Sequence, residues 1–431
     1  MKYSHFPQRK DWPALLARPV VAFAELESRV MPILDAVRQE GDEALKALTS
    51  RFDKVQLDQI RVSQAEIQQA ESLLDPSLKQ AIQQARQNIL TFHQSQQASD
   101  DKIETMPGVL CWRKNIAIEK VGLYIPGGTA PLFSTVLMLA VPANIAGCEE
   151  IVLCTPPDSS GKVHPAILYT ASLCGVTTMC KVGGAQAVAA MAYGTSSVPR
   201  VYKIFGPGNQ YVTMAKQLVA KEGVAIDLPA GPSELAVVAD DTAKPAFVAA
   251  DLLSQAEHGI DSQVLLVSSS RQLIEQVQEE LRLQLPQLPR ADIAEKALAN
   301  SQAILVEDEA TAIELINAYA PEHLILAIER DEEVAARITN AGSVFLGNYT
   351  PESVGDYASG TNHTLPTNGY ARSYSGVSLD SFVKKITFQK LTAEGLQRLG
   401  PTVEIMAEAE ELIAHKRAVS LRLSALNEAN L

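Results

Sequence analysis

Aromatic residues are scarce in this sequence, at 5% of 431. No apolar run reaches the roughly 20 residues needed to cross a bilayer, so neither a helical membrane protein nor a membrane partner is expected. The opening stretch, MKYSHFPQRKDWPALL, has no uninterrupted apolar core and does not read as a secretory leader. Cysteine is sparse as well. Cys111, Cys148, Cys154, Cys174 and Cys180 form no CxxC pair and no even disulfide framework. Most sit in or beside apolar runs such as IVLC, the setting of buried free thiols in a reducing cytoplasm. Blocks of Lys or Arg are missing too, and the formal charge is −13. Nucleic acid and anionic membrane are therefore poor partners. A cytoplasmic protein acting on a small diffusible substrate is expected.

What the chain does contain is the mixture of an ordinary globular protein, 46% hydrophobic and 20% charged. Its length exceeds what one core normally serves, so two or more domains are expected. The first hundred or so residues read as helical. Ser63 and Glu66 form a capping box, and Asp75-Pro76 places a cap before a proline at the first helical position. Leu78, Ile82, Ala85, Ile89 and Phe92 then follow at 4-3-4-3 spacing, an apolar stripe on a long helix.

From about residue 115 the texture changes. EEIVLC, HPAILYTASLCG, TMCKVG, AQAVAAMAYG, RVYKIFG and NQYVTMAKQLVA alternate strand with helix, which argues for βαβ units and a parallel sheet covered on both faces. The alternation restarts at ELAVVAD and runs through QVLLVSS, AILV, HLILAI and GSVFLG. The expected fold is α/β: two similar Rossmann-like domains with parallel-rich sheets, a helical N-terminal region and a helical C-terminal tail. A crossing point is placed at Pro229-Ala230-Gly231-Pro232. The expected divisions are a helical arm over 1–25 and an α/β domain from 26–125 plus 232–370 carrying most of the site. A nucleotide-binding domain over 126–231 and a tail over 371–431 complete them. The tail looks amphipathic and too small to fold alone, so it should pack on another body.

Four of the seven histidines, His258, His323, His363 and His415, fall late in the chain, in polar or acidic company. Gln255 and His258, in SQAEHG, share a face if helical, with Gly259 ending the helix. Imidazole nitrogen and amide oxygen both suit zinc, and a histidine complementing a helix dipole is the ordinary account. Glu322-His323, in YAPEHLIL, open an apolar strand. A carboxylate beside an imidazole supplies two bases; the ordinary account is a solvated strand-edge pair. Asp356 and His363 fall in GDYASGTNHTLPTNGYA, which reads as loop, where an Asx turn at Asp356 is the simpler account. Glu410 and His415 lie five apart in the tail helix. Together these residues include a Gln, an Asp and two His that could close a zinc shell, with a Glu-His pair left over.

Two glycine turns form a second layer. VGLYIPGGTAPLF runs a strand into Gly127-Gly128, and KIFGPGNQYV puts Gly206-Pro207-Gly208 between strand and helix. Both place flexible backbone at a helix N-terminus, where phosphate is favoured. Neither is GxGxxG, so tight-turn glycines are an equal reading.

The segments VGLYIPGGTAPLFSTVLMLAVPA, VGGAQAVAAMAYGT, KIFGPGNQYVT, AIDLPAGPSE, DLLSQAEHG, YAPEHLI, GSVFLG and TPESVGDYASGTNH resemble the histidinol dehydrogenase family, in the family's order from roughly residue 20 to the end. The resemblance implies oxidation of L-histidinol to L-histidine by two successive NAD+ reductions. It implies one zinc per subunit on Gln255, His258, Asp356 and His415, with Glu322 and His323 as the catalytic pair. Substrate contacts would fall on Ser233, Gln255, His258, Glu322, Asp356, His363, Glu410 and His415, and NAD contacts on Tyr124, Gln186 and Asn209. It also implies a homodimer in which the tail, with Glu410 and His415, completes the neighbour's site. A paralogous zinc and NAD alcohol dehydrogenase acting on another small polar alcohol is the nearest rival. A zinc hydrolase leaves both glycine turns unexplained, and a non-catalytic scaffold leaves Glu322 and His323 without a purpose.

Overall fold

The computed structural model describes residues 1–18, 23–127, 130–228 and 231–428. Gly128, Pro229 and Ala230, which belong to one glycine turn and to the expected crossing point, lie outside the described residues. The chain divides into two compact units, one of residues 1–96 with 118–382 and one of 97–117 with 383–431.

The larger unit holds two all-parallel sheets. The first has five strands in the order Thr178–Lys181, Glu150–Thr155, Lys120–Tyr124, Lys203–Phe205, Ala225–Ile226. The second has six, in the order Lys2–His5, Gln302–Leu305, Gln263–Ser268, Glu234–Ala239, His323–Ala327, Ser343–Leu346. Setting aside the edge strand Lys2–His5, both share one topology. The first strand is central, the next two are laid to one side and the last two to the other. Each sheet therefore has a topological switch point beside its first strand.

The strands are apolar throughout because both faces are covered. Val121, Leu123, Ile151 and Leu153 join one buried cluster, while Val152 and Cys154 join the cluster on the opposite face. In the second sheet Leu235, Val237, Val264 and Leu266 face one side and Ala236, Val238, Leu265 and Val267 the other. This is the period of two expected of strands, and each fully buried Leu or Val contributes about 1.5–3 kcal/mol.

The helices near the N-terminus, which the sequence grouped with 232–370, pack on the first sheet. Val30, Leu34 and Val37 of Phe23–Glu40 join one face cluster, and Ile82, Ala85 and Ile89 of Pro76–Gln94 join the other. The capping box at Ser63–Glu66 and the Asp75 cap before Pro76 both form. The stripe drifts at its end: Phe92 is 42% exposed, and His93 is buried instead. Nor is the segment before residue 18 purely helical, because Lys2–His5 pairs in parallel with Gln302–Leu305. Four residues ending at His5 carry too little pattern to betray a strand whose partner lies 300 residues away.

The smaller unit is an antiparallel sheet of Lys102–Met106, Val109–Ala117 and Val383–Leu391, with helices Ala393–Ala409 and Ile413–Glu428. The tail is thus a strand and two helices rather than one helix. Glu411, at φ 60°, breaks the second from the first. The five cysteines are free thiols, and no described helix is long and apolar enough to cross a membrane.

Candidate active site

The two sheets present candidate residues at opposite edges. On the first sheet they gather at the carboxyl ends, beside the switch point between Lys120–Tyr124 and Lys203–Phe205. Tyr124, Gln186 and Asn209 all line one cavity of about 1310 Å³, together with Asp53 and Arg29. The Tyr124 hydroxyl accepts from the Gly184 N–H at 3.1 Å, and burial pushes its pKa up to about 12. Asn209 caps helix Gln210–Lys221, accepting from the N–H groups of Tyr211 (3.0 Å) and Val212 (3.1 Å). Gly206 meets the tight-turn reading. Its φ is +124°, and a Cβ there would lie 2.1 Å from the Tyr124 carbonyl oxygen, so only glycine fits. The loop is braced from below, where the buried Lys216 ammonium donates to Gly206 O at 2.9 Å and pairs with Asp227. Asp227 in turn accepts from Gly206 N–H at 2.8 Å.

On the second sheet the residues gather at the amino ends of the two central strands. Glu322 and His323 open His323–Ala327 at only 5% and 4% exposure, so they are not the solvated edge pair of the simpler account. Glu322 is held by its backbone, whose carbonyl accepts from Ser343 N–H at 2.9 Å. A Cβ on Gly342 would stand 2.5 Å from that same oxygen. Its side chain accepts from the Glu234 N–H at 2.8 Å.

Three carboxylates surround His323. Glu352 Oε1 lies 3.4 Å and Glu322 Oε2 3.7 Å from Nδ1, and Asp356 Oδ1 lies 3.4 Å from Nε2. Nδ1 also faces Glu234 O at 3.3 Å, an acceptor only, so Nδ1 carries a proton. Burial by itself depresses the imidazole, but Glu352, Glu322 and Asp356 outweigh it and raise its pKa to about 10. Burial raises Glu322 to about 8 against the pull of His323, and raises Glu352 to about 8 likewise. Asp356 also meets burial, yet the three nearby histidines hold it below the usual carboxylate range. The cluster is short of positive charge.

Gln255 is buried at the end of helix Pro245–Ala256. With the amide turned to match its neighbours, its nitrogen donates to Glu352 and its oxygen accepts from Glu234 N–H at 3.0 Å. His258 falls just beyond that helix rather than on it, with its N–H on Gln255 O at 3.3 Å. Its side chain is exposed. Surrounding protein desolvates its cation and lowers its pKa, while Asp356 opposes that shift. Asp356 is not in a loop. It lies in the short helix Glu352–Tyr357, four residues after Glu352 and so on one face with it. Burial also lowers the pKa of His363. Its Nδ1 donates to Asp356 O at 2.8 Å, which leaves Nε2 to accept from the Thr135 hydroxyl at 3.1 Å. Ser233 is half-buried one residue before Glu234. Glu410 and His415 belong to the smaller unit, where both are exposed. Glu410 caps the end of Ala393–Ala409, and His415 lies in the first turn of Ile413–Glu428.

A cation fits this donor set. His323 Nε2, Glu352 Oε2 and Asp356 Oδ1 are buried without a hydrogen-bond partner, and donor atoms of these three residues lie within 4.8 Å of one another. Nitrogen and carboxylate oxygen are zinc ligands. Asp356 is common to this cluster and to the expected quartet. Glu352 was missed in the sequence, although its i,i+4 spacing from Asp356 in PESVGDY was there to read. Thr135 carried no such signal.

A family model described as histidinol dehydrogenase matches residues 16–423. The chain is 61% identical over 426 residues to a histidinol dehydrogenase of Bacteroides thetaiotaomicron, covering 99% of this chain and 100% of the relative. A Bacteroides fragilis histidinol dehydrogenase is 60% identical over 428 residues, with the same coverage. The crystal structure of histidinol dehydrogenase from Elizabethkingia anophelis superposes with a TM-score of 0.97 at 56% identity, covering 99% of each chain.

Proposed function

Because the chain belongs to the histidinol dehydrogenase family, we propose that it oxidises L-histidinol to L-histidine, with zinc bound and two NAD+ consumed. The observation that carries this reading is the pairing of Glu322 and His323, buried side by side against Asp356 in a cluster short of positive charge.

Two residues share the acid–base work. In the first oxidation His323 takes the hydroxyl proton of the alcohol as the carbinol hydride leaves, giving aldehyde, NADH and a proton. In the second, Glu322 takes a proton from water as it adds to the aldehyde carbon. The hydrate then loses hydride to a second NAD+, giving acid, NADH and a proton. A carboxylate raised to about 8 suits a base working near neutrality. Gln255, His258, Asp356 and His415 would hold the zinc, which would supply a Lewis acid for the substrate's nitrogens and a positive charge favouring the neutral imidazole of His323. Tyr124, Gln186 and Asn209 hold the dinucleotide, the hydride acceptor of both steps. Ser233 and His363 contact the substrate. Glu410 and His415 complete the site of a second copy of the chain, in a homodimer. Keeping the aldehyde bound between steps protects it from side reactions.

The test is stoichiometric. Purified protein with zinc, NAD+ and L-histidinol should form two NADH per histidine, lost with a chelator and with His323→Ala. NADH from a different amino alcohol, and none from histidinol, would move the assignment to a paralogous substrate.

A further inference from the structure

Beneath the Glu322–His323 pair lies a second buried ionic group that the proposed chemistry does not use. Arg18 Nε donates to Glu234 Oε1 at 2.5 Å, and an Arg18 terminal nitrogen donates to Oε2 at 2.7 Å, a fork on a carboxylate that is itself buried. The same nitrogen also reaches Tyr319 O at 2.9 Å, and the guanidinium lies 4.0 Å over the Tyr319 ring. The circuit closes on itself. Tyr319 hydroxyl donates to Gln263 Oε1 at 2.8 Å, and Gln263 Nε2 donates to Ala17 O at 3.2 Å, the residue before Arg18. Asn368 N–H adds a third bond to Glu234 Oε1, at 2.8 Å.

Glu234 touches both members of the pair through its backbone. Its N–H donates to Glu322 Oε2, and its carbonyl faces His323 Nδ1. Glu234 is the first residue of its strand, held in line at its backbone by Gln263 N–H donating to the preceding Ser233 carbonyl at 3.2 Å. Its side chain, fastened by Arg18 and Asn368, adds a hold from the other direction. A closed hydrogen-bonded network of this kind rigidifies what it grips.

We propose that Arg18 is a positioning residue: its fork on Glu234 fixes the backbone amide that aims Glu322 and His323. The proposal rests on the assignment of that pair as the acid–base residues. Removing the fork should lower kcat more than it raises KM, because the Glu234 backbone meets the acid–base pair directly, while of the substrate contacts only Glu322 and Gln255 share its N–H. A displacement of about 1 Å at reacting groups lowers rates on the order of 10²-fold. Lysine carries the charge but cannot fork.

The experiment measures kcat and KM for histidinol in the zinc-loaded, full-length protein for Arg18→Met, Arg18→Lys and His323→Ala. Thermal melting of each and guanidinium rescue of Arg18→Ala accompany it. The expected result is kcat down on the order of 10²-fold in Arg18→Met and by about tenfold in Arg18→Lys, with KM within about threefold and partial recovery of kcat in guanidinium. Arg18→Lys that melts as the parent and keeps the parent kcat would overturn the proposal, as would a rise in KM alone. Should Arg18→Met fail to fold, the Arg18→Lys split between kcat and KM decides. If His323→Ala loses turnover while folded Arg18 variants keep it, the clamp is wrong and the pair stands. If His323→Ala keeps turnover, the assignment of the pair has failed, and the clamp falls with it.

Discussion

Thr135 and His363 are joined by a hydrogen bond of 3.1 Å between the hydroxyl and Nε2. Thr135 belongs to helix Phe133–Ala146 on the first sheet, and His363 follows the helix that carries Asp356 on the second. Around this bond, Asn362 donates to Met138 O at 2.6 Å and Asn88 to Ala358 O at 2.9 Å. The segment after Asp356 is thus strapped to helices of the first sheet, and the imidazole of His363 is fixed in one tautomer.

Thr135→Val keeps the volume and removes the hydroxyl. The loss of one hydrogen bond, about 0.5–1.5 kcal/mol, should lower kcat/KM for histidinol by roughly two- to tenfold, and Thr135→Ser should restore it. An unchanged kcat/KM in the valine variant would show that His363 needs no orientation from Thr135.

Glu352→Gln removes one of the charges facing His323 and spoils the acceptor for Gln255. Turnover should fall by about 10- to 100-fold, or roughly 1.4–2.7 kcal/mol, with the fold retained because the shape is kept. Steady-state kinetics beside a melting curve checks this; full activity would remove Glu352 from the working site.

Dialysis against a chelator should abolish activity, and added zinc should restore it, as metal affinity depends on the buried carboxylate and imidazole donors. Asp356→Asn should bind zinc more weakly by about 10-fold or more, read by metal content after gel filtration. Zinc content equal to the parent would argue against Asp356 as a ligand.

Gly206→Ala places a Cβ against the Tyr124 carbonyl in a conformation L side chains avoid. The KM for NAD+ should rise by about tenfold or more while that for histidinol moves little, since the distortion falls on the cavity of the first sheet. Equal changes in both constants would break the link between this turn and the dinucleotide.

His93 is buried within helix Pro76–Gln94, and burial lowers its pKa below the ordinary 6.5. The unfolded chain therefore binds the proton more readily than the folded one. Stability from this group is present above pH 6.5 and is lost as pH falls below it. Melting temperature should drop between pH 7.5 and 5.5 in the parent, and by less in His93→Gln. Parallel curves for the two proteins would rule out His93 as the source.

Much of the fold was legible in the residues themselves. Continuous apolar strands such as EIVLC and ELAVVA predict sheets covered on both faces, and both sheets are. Capping chemistry at Ser63 and Asp75 is local, so it was readable without a fold. The edge strand Lys2–His5 and the strand Val383–Leu391 were not, because each is stabilised by a distant partner rather than by its own pattern. Asp356 read as loop since Gly355 and Ser359 flank it, yet one helical turn holds it in register with Glu352.

Composition and periodicity by themselves determined the α/β alternation and the residue types available for chemistry, because these depend on neighbours a few positions apart. Their arrangement was decided only in three dimensions. Parallel pairing of His323 with Leu235 brings Glu322 and His323 against Glu234, and the helix at Glu352 then closes three carboxylates around one imidazole. Burial makes that grouping consequential: the same side chains in water would titrate independently, whereas here desolvation and mutual charge move each of their pKa values together.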